Sequence, residues 1–198
     1  YVCYRHTNHG WLEDARYAEP FLFNAQPICL PDGRMLSAGR MSAQSGELPW
    51  IPCVFVRKAC APAGWEARPL PGPWQYGVYP LLFPETTLLA DGMHVTAVTR
   101  NDGGEAQVFE SVDAGITWSQ PQDVGLPVGA SKMCGGTLRN GVQYLIYNEK
   151  TDPPSRNRLV IALRHGSDTA FKKVYTLFEG EDTQLRGGPM WHYPCAVE

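Results

Sequence analysis

An all-β fold assembled from repeated four-stranded units, a β-propeller, is the fold class this sequence predicts. Three observations point to it. Gly (20 residues) and Pro (17 residues) punctuate the 198-residue chain, in the manner of short strands divided by turns at roughly eight-to-twelve-residue spacing. Helical periodicity is scarce; short runs rich in β-branched and aromatic residues recur instead, at 35–40, 51–57, 94–100, 143–148, 158–163 and 172–177. Finally, one pattern of strand, Asp-Gly or Asn-Gly, and strand occurs three times along the chain.

The first copy runs from Pro27 to Arg40 with Asp32-Gly33 at its turn. The second runs from Thr86 to Arg100 around Asp91-Gly92, and the third from Gly136 to Asn148 around Asn140-Gly141. Such dipeptides favour two-residue hairpin turns, whose geometry needs positive φ. The turn glycines Gly33, Gly92 and Gly141 recur at roughly fifty to sixty residues, enough for a four-stranded blade with loops. Gly135-Gly136 shows neither the P-loop spacing nor the dinucleotide fingerprint, and reads as a place where backbones approach closely. Tyr193–Glu198 reads as the first strand of a further unit. About three blades plus fragments are expected, whereas closed propellers typically have about four to eight. Residues 1–198 are therefore expected to form one partial propeller domain. It would lack the first blade or blades and the end of the last, with the missing part or another copy completing the ring.

Between the second and third copies lies Ser111-Val112-Asp113-Ala114-Gly115-Ile116-Thr117-Trp118. It reads S-x-D-x-G-x-T-W and resembles the Asp box of the bacterial neuraminidase repeat. The chemistry suits a turn between the outer strands of a blade. Asp113 can accept hydrogen bonds from turn amides, Gly115 can take φ > 0, and Trp118 can pack between sheets. This is a scaffold signal, and the expected role of Asp113 is structural.

Composition narrows the function classes. A net charge of −3 without like-charge runs argues against a nucleic-acid partner, which needs a clustered basic surface. No apolar stretch approaches the ~20 residues of a membrane span, and the opening residues do not read as a signal peptide. The six cysteines, Cys3, Cys29, Cys53, Cys60, Cys134 and Cys195, contain no C-x-x-C pair. They are expected to be mostly free, buried thiols, and no zinc site or other cofactor is expected. They leave the compartment open; a secreted or periplasmic one is favoured. His6 and His9 form H-x-x-H without the helix or glutamate of a zinc hydrolase.

In a propeller the first strand of each blade lines the central channel. Alignment on the turn glycines places Gln26, Glu85 and Cys134 at one level, seven residues before each turn, with Tyr193 close to that level in the next unit. A carboxylate and a phenol distant in sequence would thus converge at one mouth. His192, next to Tyr193, would face away on a regular strand.

The order of segments resembles the sialidase family. Pro84 to Arg100, followed by the Asp box, is similar to the segment with the assisting glutamate and a substrate-binding arginine, here Glu85 and Arg100. Ser155 to Leu163 resembles the segment supplying the last arginine of a carboxylate-binding triad. Arg156 and Arg158 alternate about one strand face; Arg156 is preferred and Arg158 is the reserve. Trp191-His192-Tyr193-Pro194 resembles the segment with the nucleophilic tyrosine, and Arg40 ends the equivalent strand one blade before Arg100. The resemblance covers Glu85 to Tyr193. It implies a retaining glycoside hydrolase of exo-α-sialidase type, acting on a terminal sialic acid or related acidic sugar.

That mechanism explains the residue types. A sialic acid carries a carboxylate on its anomeric carbon, which arginines can clamp. A carboxylate nucleophile would be repelled there, whereas a tyrosine would not, provided a glutamate removes its proton. The sequence departs from the family in one respect. The general-acid aspartate and first triad arginine belong to a Phe/Tyr-Arg-Ile-Pro segment and the loop after it, and none is found; Arg5 and Asp14 do not fit, and Asp32 sits in a turn. Activity by these residues alone is then not expected. Two rivals are a uronate-acting polysaccharide lyase and a non-catalytic carbohydrate-binding propeller.

Overall fold

The computed structural model describes residues 2–16, 21–44, 47–58, 64–74, 83–101, 105–152, 154–166, 168, 170–180 and 190–197. Among them there is no α-helix, and no helix long and apolar enough to cross a membrane. The described residues are all-β and form fifteen strands. A hairpin of β1 (Val2–Thr7) and β2 (Gly10–Arg16) comes first. The first large sheet holds β3 (Phe21–Phe23), β4 (Ile28–Cys29), β5 (Met35–Gln44), β6 (Glu47–Arg57) and β7 (Glu66–Pro69). Both β3 and β4 pair with β5, so the strand before the hairpin is split in two. The second sheet runs β8 (Thr86–Asp91), β9 (His94–Thr99), β10 (Gln107–Ser111) and β11 (Gln122–Asp123). The third runs β12 (Cys134–Thr137), β13 (Gln143–Asn148), β14 (Arg158–Arg164) and β15 (Lys172–Glu179). All these pairings are antiparallel, and all but that of β3 with β5 join chain neighbours.

The three repeated hairpins form, with two kinds of turn. Asp91 pairs with His94 across a two-residue loop whose Gly92 has φ 61°. At the other two, the Gly33 amide donates to the Leu30 carbonyl, and the Gly141 amide to that of Leu138. Leu30 and Leu138 in turn donate to Arg34 and Val142. These are three-residue loops closed by a left-handed glycine, φ 82° and 83°, and not the two-residue turns expected from their dipeptides. Residues 193–197 form no strand, and Tyr193 takes φ 54°, so that expectation is corrected too. The φ of Tyr193 breaks the extended geometry a strand needs.

The sheets stack face to face, and this explains the apolar runs. Leu88, Ala97 and Phe109 of the second sheet pack on Leu36, Val54 and Val56 of the first. Leu89 and Val98, on the other side, pack with Leu145, Tyr147 and Val160 of the third. Alternate residues of a strand face opposite ways, so a sheet covered on both faces needs apolar residues at consecutive positions. Polar ties cross the same junctions. Arg164 of β14 donates to Glu110 Oε1 (3.0 Å) and Thr96 Oγ1 (2.6 Å) of the second sheet. β8 and β12, edge strands of neighbouring sheets, also touch: the Gly135 amide donates to Thr87 Oγ1 (3.1 Å). A Cβ on Gly135 would lie 2.9 Å from a Leu145 methyl of its own sheet. At Gly136 the space is filled by the Tyr144 side chain, so what crowds that glycine is a side chain and not the approaching backbone that was expected.

The Asp-box loop joins β10 to β11 as expected, with Ala114 and Gly115 both left-handed (φ 62° and 79°). Asp113 Oδ1 accepts from the amides of Ile116 (3.1 Å) and Thr117 (2.8 Å), and Oδ2 from the Thr117 hydroxyl (2.6 Å). Ser111 Oγ donates to Oδ1 at 2.8 Å. The loop docks on the first sheet. Arg68 donates to the Ile116 carbonyl (3.1 Å), Arg34 to those of Asp113 and Ala114, and Trp118 packs into the shared core. Partial burial pushes the Asp113 carboxyl up, but the bonds from Thr117, Ser111 and Ile116 together outweigh it and bring it down to about 2, from an ordinary 3.8. The stability this carries is present above about pH 4 and is lost as pH falls towards 2; solvent screening keeps it modest. Asp113→Ala is expected to cost about 2 kcal/mol at pH 7 and to flatten stability between pH 4 and 2, as read by urea unfolding. Unchanged stability at pH 7 would show that the loop holds itself without the carboxylate.

Tyr147 is fully buried, and its hydroxyl has no hydrogen-bond partner among the described residues. Burial, with the Glu149 charge nearby, pushes the phenol up to about 12. Tyr147→Phe removes a desolvated, unpaired group, so stability is expected to hold or to rise by up to about 1–2 kcal/mol. A loss of that size in urea unfolding would mean that the hydroxyl is bonded in solution.

Candidate functional site

Glu85 and Arg100 are brought together where β8 begins and β9 ends, at the sheet end opposite the hairpin turns. The Arg100 amide donates to the Glu85 carbonyl (2.9 Å), and its Nη1 donates to Glu85 Oε2 (2.7 Å). Their side chains are only 7% and 11% exposed. A pair so withdrawn from water is held by its mutual bond, and either partner alone would be a desolvated charge.

Arg40 joins this group from the first sheet. It lies inside β5, which continues to Gln44, and does not end the strand as expected. The pairing with β6 carries β5 past it, and sets the guanidinium 5.1 Å from the Trp50 ring centre. Phe83 links the two arginines: its ring centre is 5.2 Å from the Arg40 guanidinium and 5.6 Å from that of Arg100. An aromatic face attracts cations, so the half-exposed Phe83 holds two like charges near each other. Sequence reasoning missed Phe83 and Trp50. The only available signal was that Phe83 stands two residues before Glu85.

Tyr193 lines a cavity of about 520 Å³ bordered by β4, β8 and β12, together with Gln26, Thr87, Lys132, Cys134 and Tyr144. Gln26 and Cys134, equivalent in the alignment on the turn glycines, both line it. Glu85, third at that level, does not line it, because its carboxylate is engaged by Arg100. Tyr193 is 54% exposed, and its left-handed backbone is followed by Pro194. Such a conformation costs on the order of 1–3 kcal/mol for a non-glycine residue. The His192 ring stands edge-on to it at 5.1 Å, so the two do not point apart as on a regular strand.

Arg156 precedes β14 and is not part of it, which corrects the expectation that it alternates with Arg158 on one strand. Its carbonyl accepts from the Trp191 amide (3.1 Å) and from Asn148 Nδ2 (3.1 Å), and its Nη2 donates to the Ala130 carbonyl (3.1 Å). Asn148 Nδ2 also donates to the Trp191 carbonyl (2.7 Å). Arg156 therefore supports the segment that carries Tyr193. Arg158 is engaged elsewhere, by Glu179 and by Glu149 (3.2 Å); these bonds hold its guanidinium above its ordinary range.

The family model of the BNR repeat-like domain matches residues 14–197. The chain belongs to this family. No curated protein matches it in sequence. The BNR repeat-like chain is similar in fold to NanB sialidase from Streptococcus pneumoniae (14% identity, TM-score 0.61), over 85% of its own length and 26% of that protein's. It is similar to Trypanosoma rangeli sialidase (14%, 0.63) over 91% and 32%. A protein of unknown function from Dyadobacter fermentans matches over 91% and 53% (14%, 0.65). The BNR repeat-like chain thus spans between about a quarter and about half of these structures. At such identities the likeness is one of fold, and it agrees with the resemblance read from the Asp box.

Among the described residues of this BNR repeat-like chain, no group of three His, Cys, Asp or Glu side chains is placed to hold a metal. The cysteines correct another expectation. Cys29, Cys53, Cys134 and Cys195 are free, but of these only Cys53 is buried; Cys60 and the side chain of Cys3 lie outside the described residues. Cys29 and Cys195 are exposed on the cavity wall.

Proposed function

We propose that the stacked sheets are blades of a sialidase-type propeller, six-bladed when complete, and that this chain supplies the nucleophile half of a retaining glycosidase site for terminal sialic acid or a related acidic sugar. The observation that carries the proposal is the cluster of Arg40, Arg100 and Glu85 around Phe83; Arg156 separately braces the segment that bears Tyr193. Two guanidinium groups held near one aromatic ring form a socket for a carboxylate. Binding of that carboxylate would compete for Arg100 and release the Glu85 carboxylate to act as a base. Glu85 lies outside the cavity that Tyr193 lines, so the reading requires substrate binding to bring the two together. Glu85 would then take the phenolic proton as Tyr193 Oη attacks the anomeric carbon, and water would later cleave the tyrosyl-glycosyl bond with net retention. Arg156 contributes as a brace, and Arg158 stays in its ion pairs.

The test is hydrolysis of a fluorogenic α-sialoside by the full-length protein, with the first-formed anomer followed by proton NMR. The α-anomer is expected first. An unsaturated product absorbing in the ultraviolet would replace this reading by the lyase one, and binding of acidic glycans without turnover would leave a carbohydrate-binding propeller.

A further inference from the structure

We infer that the cavity between the second and third sheets, at the end where their hairpin turns lie, is a binding site for a neutral sugar. Its volume is about 430 Å³, within the roughly 300–1,000 Å³ of small-ligand sites. Asp91, His94 and Glu110 of the second repeat line it together with Gln143, Arg164 and Asp168 of the third. Asp91 pairs with His94 at the turn of the β8–β9 hairpin, whereas Glu85 and Arg100 flank its other end. The two sites are separate.

The polar side chains of this cavity hold one another in place. Arg164 donates through Nη1 to Glu110 Oε1 (3.0 Å), through Nη2 to Thr96 Oγ1 (2.6 Å) and through Nε to Gln143 Oε1 (2.7 Å). Its guanidinium also lies 4.7 Å from the Phe171 ring centre. Thr96 Oγ1 donates to Glu110 Oε2 (2.7 Å), and His94 Nε2 lies 2.9 Å from the same oxygen. Groups fixed in advance lose little freedom when a ligand arrives.

Gln143 is the deciding residue. It is only 6% exposed, and Arg164 engages its oxygen. Its Nε2 donates to no group among the described residues, yet it is not sealed from solvent. That nitrogen therefore offers two N–H groups to an occupant of the cavity that Gln143 lines. Acceptors stand beside it. Glu110 Oε1 accepts from Arg164 and has a second lone pair. Asp91 is exposed, and its carboxylate accepts no hydrogen bond among the described residues.

A sugar hydroxyl donates and accepts at once. One hydroxyl can accept from Gln143 Nε2 while donating to Glu110, and its neighbour on the ring can donate to Asp91. The charge of the walls selects the class of sugar. Three carboxylates, Asp91, Glu110 and Asp168, face one guanidinium that is already engaged, so an acidic sugar is disfavoured. An organic cation would suit the carboxylates but would accept nothing from Gln143. A neutral sugar uses both sides.

The experiment titrates the full-length protein, by saturation-transfer NMR, with the methyl glycosides of galactose, glucose, mannose and N-acetylglucosamine. N-acetylneuraminic acid and ethanolamine serve as the charged comparisons. At least one methyl glycoside is expected to bind in the millimolar range. Gln143→Glu keeps an acceptor for Arg164 but removes the N–H donors; it should weaken that binding about tenfold or more, with an unchanged urea unfolding curve. Asp91→Ala, at an exposed position, should weaken it severalfold, and decides alone should Gln143→Glu unfold. Failure of every glycoside to bind would overturn the inference, as would glycoside binding that both variants leave intact. So would binding of N-acetylneuraminic acid that weakens in Gln143→Glu, or of ethanolamine that tightens in it. These readouts do not involve turnover, so they stand apart from the fate of the glycosidase reading.

Discussion

Tyr193→Phe in the full-length protein is expected to lower kcat/KM towards an α-sialoside by about a thousandfold or more, with KM changed little. The variant keeps the ring and its packing but removes the oxygen that would bond to the anomeric carbon. Loss of a nucleophile costs several kcal/mol of barrier, and each factor of ten is about 1.4 kcal/mol. The half-exposed phenol makes no large contribution to folding, so a matched unfolding curve separates chemistry from stability. Glu85→Gln should produce a similar fall. Full activity in Tyr193→Phe would remove the tyrosine mechanism, whatever the substrate proves to be.

Arg100→Ala is expected to be the most destabilising of the substitutions considered, by about 3–5 kcal/mol in urea unfolding. It leaves the Glu85 carboxylate, 11% exposed, beside a cavity in place of its partner. It also strips one of the two cations from the Phe83 ring. Adding Glu85→Gln should recover much of the loss, because a neutral amide tolerates the dry site better than a lone carboxylate. If the double variant is no more stable than the single one, the cost comes from lost packing and not from the unpaired charge.

Residues whose surroundings are set by near neighbours were readable in advance. The strand, turn and strand from Thr86 to Arg100 form as read, around Asp91-Gly92, and the Asp box carries its own hydrogen-bond acceptor within eight positions. The β1–β2 hairpin went unnoticed because Tyr4, Trp11 and Leu12 are exposed, leaving no inside-outside contrast to detect. In the site, types and order of residues were legible but directions were not. Glu85 turns to Arg100 across a strand pair, and Phe83 meets arginines from two different sheets. Those contacts depend on how sheets stack, which a local pattern does not encode. The turn at Asp32-Gly33 shows the same limit at small scale, since the dipeptide fits either loop length.

The docking of the Asp-box loop onto Arg34, Arg68 and Leu36 has a consequence for how the molecule comes apart. Each repeat borrows part of its interior from the one before, so no cut between the first and second sheets yields two self-sufficient pieces. Heating is expected to melt these two repeats in a single step, and either one made in isolation should behave as a loose, sticky chain.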